Sequence, residues 1–269
     1  MNQCIVFFDI DGTLWDYQGK IPDSTVQAIR ELRANGHYAF LCSGRSRVTI
    51  RAKELLDIGF DGIVAGCGTY IELNGDVIFE YKIPWEMLSK TISVMQECHL
   101  AAMYEGSKKL YVDEKAFGDD AYVADLRKSL GNDFLSVGKL TPGSIVNKLC
   151  IDYRNSSKET MIARLGQDYE IICHVFGPVA ELLPKGFSKA SGIKQVCSLL
   201  GIERCNTYAF GDSANDIDML RYVQHGVAMG NASENTKQAA DYVTASMYDD
   251  GIQKALKHFG LIYDNRIVL

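Results

Sequence analysis

CIVFFDIDGTLWD, residues 4–16, decides the fold. Its first seven residues are too apolar for a strand with one solvated face, so they predict a short strand buried on both sides. Asp9 and Asp11 stand at its end, two apart, with Gly12 and Thr13 behind them. Side chains two apart on a strand share a side, roughly 6–7 Å from each other. The pair is thus expected at the carboxyl edge of a sheet, where open α/β sheets bind ligands. Gly12 and Thr13 predict a tight turn whose backbone N–H groups are exposed to an anion.

Outward from this strand the pattern is βαβαβ. A helix is expected over 23–35, ended by Gly36, then a buried strand in HYAFLCSG, an amphipathic helix over 46–58 and a third strand in DGIVAGC. Compact links between such elements imply right-handed crossovers and a parallel sheet. The rhythm then changes. TYIELNGDVIFEYKI alternates around Asn74–Gly75, a strong hairpin signal, and YEIICHVFGPVAELLP predicts a second hairpin near Gly177–Pro178. From residue 188 the strand–helix rhythm returns. Pro84 and Pro184 bracket the middle section. The fold expected is α/β: a Rossmann-like parallel-sheet core of residues 1–83 and 185–269, with an inserted α+β cap over 84–184.

Composition narrows the function. The 269 residues are 47% hydrophobic with a formal net charge of −6, which argues against nucleic acid or an anionic membrane as partner. The eight cysteines form no CxxC pair, and most sit in apolar runs, so buried, reduced thiols are expected. Neither a signal peptide nor a membrane span is expected, and a cytoplasmic location follows. Monomer and dimer both stay open.

A second acidic cluster lies in YAFGDSANDIDML. Ser213-x-x-Asp216 fits a capping box, but that leaves Asp212 unexplained at a strand end. Asp9, Asp11 and Asp212 at one edge would make a negative pocket suited to a hard divalent cation, magnesium above all. LCSGR ends another strand with Ser43, Gly44 and Arg45, which offer a hydroxyl and backbone donors. KGFSK supplies Lys189 at a helix start, with Lys185 nearby.

Together FDIDGTL, SGR, Lys189 and GDSAND closely resemble the four signature motifs of the haloacid dehalogenase-like hydrolases, and more narrowly the Cof-type phosphatases with a large α/β cap. The tail GVAMGNASENTKQAADYVT is also typical of that subgroup. The resemblance implies a phosphatase acting on a small phosphorylated metabolite, a sugar phosphate or a nucleotide or cofactor phosphate. It implies Asp9 as nucleophile and Asp11 as general acid and base. Magnesium would lie between Asp9, the backbone carbonyl of Asp11 and Asp212, with Asp216 as an outer partner. Phosphate would be bound by Asp9, Ser43, Gly44, Lys189 and Asn215. A phosphomutase using the same aspartyl-phosphate, and a non-catalytic phospho-ligand binder, are the alternatives.

The chain departs from the family pattern in places. Cys67 stands where a polar residue is common, and Trp15 where an aliphatic one is. Cys67 is expected as buried filler or as a changed substrate contact, and Trp15 as packing beneath the cap or lining the entrance. Tyr104, Glu105, Lys148 and residues 177–181 are candidates for setting specificity.

Overall fold

The computed structural model describes residues 3–16, 18–174 and 177–263. The chain divides into two units, Met1–Gly44 with Arg51–Ile78 and Ser188–Leu269, and Arg45–Ile50 with Phe79–Phe187.

The first unit begins with β1 (Ile5–Phe8), whose four residues are all buried. Helix α1 (Asp23–Ala34) turns Thr25, Ala28, Ile29 and Leu32 inward and gives way to Gly36 at φ +85°. Next come β2 (Tyr38–Cys42), the single turn α2 (Lys53–Leu56) and β3 (Gly62–Ala65). Strands β4 (Tyr70–Leu73) and β5 (Asp76–Glu80) meet through Asn74 and Gly75, both at positive φ, as a tight hairpin turn of this hand requires.

The helix expected over 46–58 is therefore reduced to α2. Arg47–Thr49 form a 3₁₀ turn instead. Three consecutive β-branched residues, Val48–Ile50, disfavour the helix. Val48 is also held in an apolar cluster with Met103, Leu110 and Val112 of the second unit, to which residues 45–50 belong.

The second unit continues with α3 (Trp85–Glu97), β6 (Ala101–Glu105), β7 (Leu110–Val112), α4 (Glu114–Phe117) and α5 (Ala121–Leu130). Then come β8 (Phe134–Ser136), β9 (Lys148–Asp152), α6 (Lys158–Leu165), β10 (Tyr169–Cys173) and β11 (Val179–Pro184). Its sheet runs β10-β11-β9-β6-β7-β8, antiparallel except between β7 and β8. Strand alternation gives the sheet two chemistries. Leu149, Ile151, Ala102, Tyr104 and Leu182 join Leu88 and Val94 of α3 and Met161 and Leu165 of α6 in an apolar core. Tyr104 is thus a packing residue. Glu105, Lys148 and Glu181 alternate with those residues, and Lys148 Nζ lies 2.7 Å from Glu181 and 4.0 Å from Glu105. His174 Nε2 reaches Glu181 at 3.3 Å. Burial works to raise the Glu181 carboxyl, yet Lys148 and His174 outweigh it and bring it down to about 2.

The chain returns to the first unit with α7 (Lys189–Leu200), β12 (Thr207–Gly211), α8 (Ile217–Tyr222), β13 (His225–Ala228), α9 (Glu234–Ala239), β14 (Tyr242–Val243) and α10 (Gly251–His258). The strand order is β14-β13-β12-β1-β2-β3-β4-β5, parallel from β14 to β3. Successive strands run outward from β1 in one direction and from β12 in the other. The order reverses between these two neighbours, and a crevice at their carboxyl ends is the consequence. Phe8 stacks on Phe210 across this seam at 5.1 Å, and Phe7 meets Phe40 at 5.6 Å.

The eight cysteines are free thiols; Cys205 is exposed and Cys150 and Cys173 half-buried, so burial is not general among them. Among the described residues no helix is long and apolar enough to cross a membrane.

Close packing beside β2 makes a test. A Cβ on Gly62 would lie 2.2 Å from the Phe40 ring and 2.4 Å from the Glu72 carbonyl oxygen. The carbonyl is tied into the β3–β4 pairing and cannot retreat. Gly62→Ala is expected to cost about 1–3 kcal/mol and to lower the thermal midpoint by several degrees. An unchanged midpoint would show that the sheet yields there.

Candidate active site

The seam between β1 and β12 places the acidic residues. Asp9 follows β1 directly, and its amide donates to Phe210 O at 3.0 Å, which keeps it in register with β12. Asp212 follows β12 in the same way. Gly12, at φ +79°, lets the two loops close on each other: a Cβ there would lie 2.3 Å from Asp212 Oδ2. Gly is needed for the approach as well as for the backbone angle.

The turn after Asp9 uses its own donors. Gly12 N donates to Trp15 O at 2.9 Å, and Thr13 N to Ile10 O at 3.4 Å. The expectation that these amides are exposed to an anion is therefore corrected. A turn this tight satisfies its N–H groups internally, leaving anion binding to other groups.

Lys189 reaches the site from the first turn of α7, which starts at Ser188 with a reciprocal cap to Ser191. Its Nζ donates to Asp9 Oδ1 at 2.6 Å, Asp216 Oδ1 at 2.5 Å and Asn215 Oδ1 at 3.4 Å. The side chain is 0% exposed. Burial opposes its charge, but Asp216 and then Asp9 outweigh that and hold the ammonium well above an ordinary lysine. Burial, then Asp216, pushes the Asp9 carboxyl up against the pull of Lys189.

Asp216 both caps and pairs. Its Oδ2 accepts from Asp212 N at 3.0 Å and Ser213 N at 2.9 Å, while Oδ1 receives Lys189. Asn215 Oδ1 also takes the Ser213 hydroxyl at 2.7 Å. Asn215 is thus tied to Lys189 and to the cap.

Ser43 directly follows β2, beside β1, and is buried. Its amide donates to Val64 O at 2.9 Å and its carbonyl accepts from Cys67 N at 3.0 Å. Gly44 follows, at the end of the first unit's opening stretch. Cys67 is buried at φ 52° in the left-handed region, so its backbone braces Ser43.

Asp11 takes a different course. Its Oδ1 accepts the indole N–H of Trp15 at 3.0 Å. Among the described residues the acidic group whose oxygens lie within 4.8 Å of one another consists of Asp9, Asp212 and Asp216. Asp212 Oδ1 is buried and unpartnered, which is what a cation site leaves behind. The donor set is all oxygen, suited to a hard divalent ion. Both Asp216 oxygens already accept hydrogen bonds, so Asp9 and Asp212 are the better ligands.

Asn231 escaped the sequence reading. Its Nδ2 donates to Gly12 O at 2.8 Å, and its Oδ1 accepts from Met247 N at 3.0 Å. Ser233 N donates to Asp212 O at 3.1 Å. The segment after β13 thus clamps the loops that follow β1 and β12, and the Gly230–Asn231 turn signal after a predicted strand was the available hint.

A buried ammonium among carboxylates at a switch point, with an oxygen cradle beside it, fits a hydrolase of the phosphoryl-transferring kind. The comparisons agree. The chain belongs to the haloacid dehalogenase-like hydrolases, whose family model matches residues 6–256. It is 32% identical over 97% of its length to the whole of a Bacillus subtilis protein named "Putative phosphatase YkrA". It is 26% identical to B. subtilis YitU, a 5-amino-6-(5-phospho-D-ribitylamino)uracil phosphatase, covering 95% of this chain and 97% of that one. Among solved structures, the subclass IIB sugar phosphatase BT4131 superposes with a TM-score of 0.80 at 29% identity, covering 97% of this chain and all of that one.

The charge balance predicts a pH effect. Burial, then Asp216, pushes Asp212 up to about 7 from 3.8 in the absence of a cation. The folded state then keeps a proton that the unfolded chain releases. Stability from this group therefore falls as pH rises from about 4 to about 7. In chelator, the thermal midpoint of the wild type is expected to fall over this range more steeply than that of Asp212→Asn. Equal slopes would remove Asp212 as the cause.

Proposed function

We propose that this enzyme is a magnesium-dependent phosphatase for small phosphorylated metabolites, acting through an aspartyl-phosphate. The observation that carries the reading is the Lys189 ammonium bridging Asp9 and Asp216. It holds the nucleophilic carboxylate in place and adds a positive charge where phosphoryl oxygens would gather. Asp9 and Asp212, with the Asp11 carbonyl, would hold magnesium, and Asp216 would orient the set. The ion supplies charge neutralisation for the transferring phosphoryl group.

In the first step an Asp9 carboxylate oxygen attacks phosphorus as the ester P–O bond breaks, and Asp11 gives its proton to the leaving oxygen. In the second, Asp11 takes a proton from water as that water attacks phosphorus. Inorganic phosphate leaves and the Asp9 carboxylate is restored. Ser43, Gly44, Lys189 and Asn215 would receive or position the phosphoryl oxygens. Positioning and charge supply most of the catalysis in such reactions.

The substrate class is read from chemistry shared with the relatives. BT4131 is named a sugar phosphatase and YitU a phosphatase of a phosphoribityl compound, so a phosphorylated polyol suits both. We assign the choice among such substrates to the 84–184 section, as the cap. Glu105, Lys148, Glu181 and His174 are its polar candidates, a set of charges that would discriminate hydroxyl patterns.

The test is hydrolysis of p-nitrophenyl phosphate and a panel of sugar phosphates, with magnesium and with chelator. Chelator is expected to abolish turnover. Asp9→Asn is expected to lower kcat by at least about a thousandfold. A mutant as active as the wild type would end the proposal.

A further inference from the structure

Trp15 occupies a position where the family resemblance leads to an aliphatic residue, and apolar packing alone does not need an indole there. The structure gives the indole a partner. The backbone turns from Asp11 to Trp15 so that the two residues pair as an isolated parallel bridge. Gly12 N donates to Trp15 O, and Trp15 N donates back to Ile10 O at 3.2 Å. This closed turn fixes the Trp15 backbone against the residues that flank the nucleophile. From that anchor Nε1 donates to Asp11 Oδ1 at 3.0 Å, within normal hydrogen-bond length.

We propose that Trp15 is a positioning residue for Asp11, holding the carboxyl by one oxygen and so fixing its orientation for proton transfer. The inference rests on the phosphatase reading, with Asp11 as acid. Its chemical content lies in the donor itself. An indole N–H donates and never accepts. Asp11 Oδ1 is therefore held as an acceptor, which fixes the plane of the carboxyl that delivers the proton. As the Asp9 oxygen bonds to phosphorus and the ester bond breaks, that proton passes from the Asp11 carboxyl to the departing oxygen. A neutral alcohol leaves, and Asp11 stays behind as a carboxylate still held at Oδ1. Indole is also rigid, with two side-chain torsions, so it holds the carboxyl at little entropic cost.

Leaving-group dependence separates this role from packing. p-Nitrophenolate leaves without help, whereas phenolate, whose conjugate acid has a pKa near 10 like tyrosine, gains from a proton donor. The experiment measures kcat/KM for p-nitrophenyl phosphate and phenyl phosphate at saturating magnesium. The proteins are wild type, Trp15→Phe, Trp15→Leu, Asp11→Asn and Trp15→Phe/Asp11→Asn, each checked for its thermal midpoint. Trp15→Phe keeps the aromatic body, and Trp15→Leu installs the kind of residue common at this place. Both are expected to lower the phenyl to p-nitrophenyl ratio about fivefold, the loss of one hydrogen bond to an ionisable group. In the Asp11→Asn background the ratio should fall no further. Equal losses on both esters, no loss, or an undiminished effect without Asp11 would overturn the role of the indole alone. A wild type that hydrolyses neither ester would overturn the phosphatase reading and this inference with it.

Discussion

Burying an ammonium group costs several kcal/mol unless its surroundings return that energy through close, well-directed partners. In this protein the return comes from Asp9 and Asp216, carried by opposite sides of one strand seam. Neither carboxylate can move without stranding a charge, so β1, β12 and the start of α7 must hold their positions together. Asp216 is fixed in turn by the amides of Asp212 and Ser213. Two carboxylates, their shared counter-ion and an oxygen cradle are thereby positioned by one network. Such interdependence is what keeps Asp9 rigid in a site with four acidic groups and one ammonium.

Much of the core and of the site was legible because it is local. The run IVFF declares a strand buried on both faces, and Gly12, Gly36 and Asn74–Gly75 mark turns by the backbone angles they permit. What the chain hid depends on contacts that composition and periodicity do not announce, some of them far away in sequence. Gly12 and Thr13 looked like anion donors because a turn signal does not say that Trp15 O and Ile10 O, each three residues away, consume their N–H groups. The helix over 46–58 looked regular until Val48 found its cluster more than fifty residues on. Asn231 stabilises the carbonyl of a residue 219 positions earlier, and no periodicity encodes that.

The second unit shows the same division between pattern and partner. KLCID alternates as a strand should, so two faces were foreseeable. That Tyr104 belongs to the apolar face and Glu105 to the polar one follows from register alone, since Tyr104 pairs with Leu149 and Glu105 with Lys148. The polar face pairs Lys148 with two glutamates rather than with water. Paired charges of this kind contribute little to stability compared with apolar packing.

The strand seam also sets a timetable for the newborn chain. β1 gains β2 within about forty residues, but its other neighbour, β12, lies some two hundred residues downstream. At a synthesis rate of about 5–20 residues per second, that edge waits roughly 10–40 s. All that time a run of Ile, Val and two Phe presents unpaired backbone on its free side, the kind of edge that recruits strays from other chains. The inserted unit is complete in sequence before β12 emerges, so Asp9 is made among the first residues and meets its ammonium partner only 180 residues later.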